Sequence, residues 1–135
     1  MKVRNYIASI GMFAATLSTG AFAHHQGNDP IMNLRGESQR LNRTVYYTQL
    51  NSGVKNSVSR FARDVERLFR CAEGGFNMTD HHEEGQAVPP QCRHVLYRLQ
   101  SDFRRVEYYL GDTQYDYPQV YEIYTDTRES LYDVK

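Results

Sequence analysis

The chain has no tryptophan, only two cysteines and four prolines, and no surplus of either charge: 16 lysines and arginines face 16 aspartates and glutamates. Each shortage excludes something. Balanced charge gives no bulk attraction to nucleic acid. Two cysteines allow a single bridge. After the first two dozen residues, no apolar run approaches the about 20 residues that a bilayer-spanning helix needs. Catalytic and cofactor motifs are missing as well. There is no Cys-x-x-Cys-His for haem attachment, no Glu-x-x-His pair for a di-iron bundle, no Gly-x-Ser-x-Gly elbow and no phosphate loop. With no nucleophile or acid–base pair marked, the sequence leans away from an enzyme.

What is present begins at the amino terminus. Lys2 and Arg4 precede an uncharged, mostly apolar run from Tyr6 to Leu17, and Ala21-Phe22-Ala23 follows as a small-x-small site. This is the pattern of a cleaved signal peptide over residues 1–23, so the sequence predicts an exported protein, periplasmic or secreted. The rival reading is an uncleaved membrane anchor, which the shortness of the run argues against. Cleavage after Ala23 leaves 112 residues with 14 basic and 16 acidic side chains. That length suits one domain and needs no second. Cys71 and Cys92 both fall in the exported part, where thiols oxidise, and are expected to pair. The alternative is a zinc site made of Cys71, Cys92, His81 and His82, although the Cys-x2-Cys spacing of structural zinc sites is absent.

Helical periodicity covers most of the remainder. Asp29-Pro30 offers an N-cap acceptor and a first-turn proline, so residues 24–29 read as a flexible lead into a first helix. Ile31, Leu34, Ser38, Leu41, Val45 and Thr48 recur at gaps of three and four. Asn51-Ser52-Gly53 breaks the phase before Val54, Val58, Phe61, Val65, Leu68 and Ala72 resume it. A tight helical hairpin and one long bent helix both fit that break. Gly74-Gly75 is expected to end the second helix and open an exposed loop over residues 74–90. A third helix follows from about Pro90, with Cys92, Leu96, Leu99, Phe103, Val106 and Leu110 on one face and Gly111 as its stop. Pro118 opens a fourth, carrying Val120, Ile123, Tyr124, Thr127, Leu131 and Val134. The expected fold is an all-α, up-down-up-down four-helix bundle over residues 30–135, tied by one disulfide.

Four features carry chemistry. His24 and His25 would form the new amino terminus, whose amine and imidazoles suit Cu(II) or Ni(II). His81, His82, Glu83 and Glu84, flanked by Asp80, gather nitrogen and oxygen donors suited to zinc, copper or nickel, or to a titration near pH 6.5. The first helix is expected to begin at the bundle end opposite this loop, which argues against a site shared by both histidine pairs. Unless metal is bound there, no cofactor is expected. Arg60, Arg63, Arg67 and Arg70 form a basic stripe on the second helix. Like charges four residues apart repel, so a protein or an anionic envelope component is a candidate partner. Glu122, Asp126, Glu129 and Asp133 form a complementary acidic stripe on the fourth helix, able to meet the arginines within the bundle or between copies in a homo-oligomer. Tyrosine supplies most of the aromatic content, and Tyr115, Tyr117 and Tyr121 cluster where they suit recognition. Asn42-Arg43-Thr44 and Asn77-Met78-Thr79 match the glycan acceptor pattern.

Overall fold

The computed structural model describes residues 29–77 and 88–135. Among them are four α-helices and no strand: α1 (Pro30–Tyr46), α2 (Ser52–Asn77), α3 (Arg93–Leu110) and α4 (Pro118–Tyr132), with a 3-10 turn at Pro90–Cys92 ahead of α3. No helix among the described residues is long and apolar enough to cross a membrane.

Each boundary has a local cause. The Asp29 carboxylate accepts the Ile31 amide at 3.0 Å, and Pro30 occupies the first helical turn, where a missing N–H costs nothing. Between α1 and α2 the chain leaves the helix at Tyr47, and Asn51 Oδ1 accepts the Val54 amide at 3.0 Å. The phase break is therefore a true corner and not a bend in one helix. At the far end of α3, a Cβ on Gly111 would lie 2.8 Å from the Glu107 carbonyl oxygen. Its φ of −60° is ordinary, so the glycine is there for space.

One boundary differs from expectation. α2 runs through Gly74 and Gly75 to Asn77, so the loop expected over residues 74–90 begins later than the glycines suggest. Paired glycines cost about 2 kcal/mol against alanine. A helix that is already nucleated and packed gains a hydrogen bond with each further residue, and that propagation prevails.

The helices close into a four-membered bundle with one thin side. α2 lies against both α1 and α3, α4 packs on the other side of α1, and contact between α3 and α4 is slight. Neighbours run antiparallel. Arg35 near the start of α1 meets Glu66 late in α2, Phe61 of α2 meets Phe103 of α3, and Arg40 of α1 faces Asp126 of α4. The core is one cluster enclosed by the four helices, with Leu34, Leu41, Phe61, Leu68, Leu99 and Leu110 essentially inaccessible to solvent. Each such side chain contributes roughly 1.5–3 kcal/mol by leaving water. Phe103 stands between Phe61, 4.9 Å away centroid to centroid, and Tyr124, stacked at 5.9 Å, and so bridges the thin α3–α4 junction.

The Cys71–Cys92 bridge is formed, with its Cα atoms 5.9 Å apart, and it clamps the end of α2 to the start of α3. The same end carries a bidentate ion pair. Arg35 Nε and Nη2 donate to the two Glu66 oxygens at 3.0 and 2.9 Å, and the guanidinium lies 4.1 Å from the Phe69 ring centroid. The Arg35 bonds hold the Glu66 carboxyl below the usual carboxylate range, while Glu66 raises Arg35. Close by, the Val88 amide donates to the Lys135 carbonyl at 2.7 Å and anchors the residues after α4.

Candidate functional site

Antiparallel packing decides which side chains share an end. The close of α1, the start of α2, the close of α3 and the start of α4 meet opposite the disulfide. Tyr117 makes the closure explicit, since its hydroxyl donates to the Gln49 carbonyl at 3.2 Å across the α1–α2 corner. Between α3 and α4, the Thr113 hydroxyl caps the Leu110 carbonyl at 2.6 Å and the Tyr117 amide bonds back to Thr113 at 2.8 Å. This tight corner throws Tyr115 outward, 88% exposed.

Six tyrosines thus gather at one end. Tyr46 and Tyr47 pack edge to face at 5.0 Å, with the Lys55 ammonium 5.8 Å from the Tyr46 ring. Tyr108 and Tyr109 pair in the same way at 5.3 Å, and Tyr115 and Tyr117 complete the set. Tyr47, Tyr108 and Tyr115 are among the most exposed large side chains described. Tyr97 and Tyr132, also exposed, lie toward the disulfide end. Of the cluster expected from sequence, only Tyr115 stands free in solvent. Tyr117 and Tyr121 are half-buried against the core, and Tyr121 packs on Tyr124 at 5.6 Å. Tyr46, Tyr47, Tyr108 and Tyr109 are the members that sequence reasoning missed. Their signal was present in tyrosine pairs at two helix ends, and it needed the antiparallel topology to become a site.

The arginine stripe is present on the outer face of α2, with all four residues exposed. Its repulsion is relieved locally. Arg67 pairs with Asp64 at 3.0 Å, Arg70 comes within 3.8 Å of Glu66, and Arg63 donates to Ser59 Oγ at 3.1 Å. Arg60 instead lines a groove between α2 and α3 together with Arg105. The acidic stripe of α4 does not meet these arginines within the bundle, because α4 packs on α1 and lies diagonal to α2. Its Asp126 reaches Arg40 of α1 at 3.8 Å.

His24, His25, His81, His82, Glu83 and Glu84 lie outside the described residues, as do residues 1–23. The described flanks still correct one expectation. Arg35 pairs with Glu66 near the C-terminal part of α2, so α1 begins at the same end of the bundle as the α2–α3 connection, not the opposite one. An antiparallel helix that starts where its neighbour finishes makes this unavoidable. Among the described residues no group of three or more histidine, cysteine, aspartate or glutamate side chains is placed to hold a metal ion. The chain matches no protein-family model, no curated protein and no solved structure.

Proposed function

We propose that this chain is an exported, non-enzymatic helical-bundle protein that holds a protein partner on its tyrosine-bearing end. The observation carrying the reading is the convergence of Tyr46, Tyr47, Tyr108, Tyr109, Tyr115 and Tyr117 at one end of the bundle. Tyrosine combines a large apolar face with a hydroxyl at little entropic cost, and it is enriched at the centres of protein interfaces. Export is supported by the Met1–Ala23 pattern and by the disulfide.

The test is site-specific photo-crosslinking in the native host. Probes at Tyr47 and Tyr115 are expected to trap one discrete partner, while probes at Tyr97 and Tyr132 trap none. Equal labelling from both ends, or none from the first, overturns the reading. Charge reversal at Arg63 and Arg67 is the matching control for the basic face and is expected to leave the adduct unchanged. Intact-mass analysis of the recovered protein checks export, since a retained Met1 contradicts it.

A second reading is metal handling, with copper, nickel or zinc held by His24, His25, His81, His82, Glu83 and Glu84. It draws support from one geometric fact, that the chain enters α1 at the same end of the bundle where α2 and α3 are joined. Calorimetric titration of the processed protein with each metal decides it. Affinity no better than millimolar ends this reading and leaves the first intact.

A further inference from the structure

Two lanes of side chains flank the α2–α3 seam. On α2, Ser57 and Asp64 stand one residue before Val58 and Val65 of the apolar stripe, and both are buried. On α3, Asp102 and Tyr109 hold the equivalent positions beside Phe103 and Leu110. Antiparallel packing sets these lanes facing each other, Asp64 toward Asp102 and Ser57 toward Tyr109.

Asp64 is 2% exposed. One of its oxygens accepts the Arg67 guanidinium at 3.0 Å, while the other, Oδ2, is buried with no hydrogen-bond donor. A buried carboxylate oxygen without a donor is costly, and two facing carboxylates repel. One proton held between Asp64 and Asp102 resolves both difficulties. Consistent with this, burial, followed by the hydrogen bond and charge of Asp64, pushes the Asp102 carboxyl up from 3.8 to about 6, against the opposing pull of Arg60 and Arg105.

Next to this pair is an open groove of about 200 Å3, lined by Gly53, Asn56, Ser57, Arg60, Asp102, Arg105 and Tyr109. The Arg60 and Arg105 guanidiniums make no hydrogen bond or ion pair with any described residue. The carboxyl beside them is the raised one, which keeps its proton only below about pH 6. Hydroxyls of Ser57 and Tyr109 and the Asn56 amide add neutral donors. At Gly53 a Cβ would sit 3.1 Å from the Tyr109 hydroxyl, so the missing side chain lets that hydroxyl lie close over the first turn of α2. Two guanidiniums outside any hydrogen bond or ion pair, beside a carboxyl that is neutral below about pH 6 and with neutral donors around them, match an oxyanion.

We propose that the α2–α3 groove binds a small oxyanion, a phosphate or carboxylate group, through Arg60 and Arg105, and that the proton shared by Asp64 and Asp102 tunes its affinity. The charged groups around that proton are Asp64, Arg60 and, through Asp64, Arg67 on α2, with Arg105 on α3. An anion seated at the arginines raises the Asp102 carboxyl further. Linkage then requires tighter binding below about pH 6 and weaker binding above it.

The test uses sulfate and formate on the intact, disulfide-bonded protein, because neither ion changes charge between pH 5 and 7.5. NMR titration is expected to give saturable shifts confined to Arg60, Arg105 and their neighbours. Affinity should be about tenfold higher at pH 5, the ratio produced by a one-unit displacement of a single titration. Preference for sulfate identifies a phosphate-type ligand and preference for formate a carboxylate. Arg60→Gln with Arg105→Gln should abolish the shifts. Asp102→Asn, whose amide still donates to Asp64, should bind at pH 7.5 as the native protein does at pH 5. Carboxyl 13C titration of the native protein provides a check that needs no variant, since Asp102 must retain its proton well above the ordinary aspartate range. Diffuse or absent shifts with both ions, pH-independent affinity, or an Asp102→Asn variant that behaves like the native protein overturns the proposal.

Discussion

The two ends of this bundle are held by different means. At one, a covalent bridge, a bidentate Arg35–Glu66 pair and the Val88–Lys135 backbone bond tie all four helices together. At the other, the corners close on hydrogen bonds, among them the one that Asn51 accepts and those that the Thr113 and Tyr117 hydroxyls donate, and tyrosine rings lie open to solvent. The covalent and ionic ties lie at the first end, and most of the exposed tyrosine area at the second. A protein that presents aromatic area to a partner gains from this division, because side chains left free for recognition cannot also be the ones that hold the fold.

That contrast can be broken from the strong end first. Replacing Cys71 and Cys92 together by serine should cost roughly 3 kcal/mol in chemical denaturation. Amide exchange should then rise at the end of α2 and the start of α3, with the Tyr47 and Tyr115 regions unchanged. Comparable acceleration at both ends would mean that the ends are not independent.

A smaller effect follows from pH. Glu66 is depressed in the folded state, so its contribution is present above the ordinary carboxylate range and is lost as pH falls through its lowered value. Asp102 is raised, so its contribution is complete below its unfolded value and is lost as pH climbs through about 6. The melting temperature should therefore rise on going from pH 7.5 to about 5 and fall again in stronger acid. Glu66→Gln should flatten the acid limb and Asp102→Asn the neutral one. Because Glu66 and Arg35 are partly solvated, their pair should be worth less than about 1 kcal/mol.

Tyr117→Phe, which removes only the bond to the Gln49 carbonyl, should cost about 0.5 kcal/mol by denaturation. Smallest of all, Tyr47→Ser or Tyr115→Ser should change stability by less than about 0.5 kcal/mol. The two together should weaken partner binding more than tenfold, the scale of interface residues that carry affinity. A stability loss as large as that from the disulfide would place these rings in the core and sink the division of labour.

The core was legible in the sequence where the stripe of a helix is largely apolar. Every stripe position read on α2, α3 and α4 is buried, including the polar Thr127, whose hydroxyl donates to the Ile123 carbonyl at 2.8 Å. α1 was harder because polar residues, Glu37 and Ser38, share its buried face. Glu37 is buried there beside Arg40, 3.0 Å away, whereas Thr48 falls beyond the helix end. The facing acids escaped because Asp64 reads locally as a partner that mutes Arg67. Only its position one residue ahead of a core valine, matched by Asp102 ahead of Phe103, places the two against each other. The tyrosine end was invisible for the same reason. Its members are scattered along the chain and are joined by topology alone.

The order in which the helices pair also bears on how the molecule assembles. Two of its three main pairings join helices adjacent along the chain, and only the seating of α4 on α1 brings distant segments together. Such predominantly local connectivity favours rapid folding. Once formed, the bridge between Cys71 and Cys92 bypasses the intervening residues and shortens the route from α1 to α4. Oxidation thereby lowers the entropic cost of seating α4 on α1, so the reduced chain should seat that helix more slowly than the oxidised one.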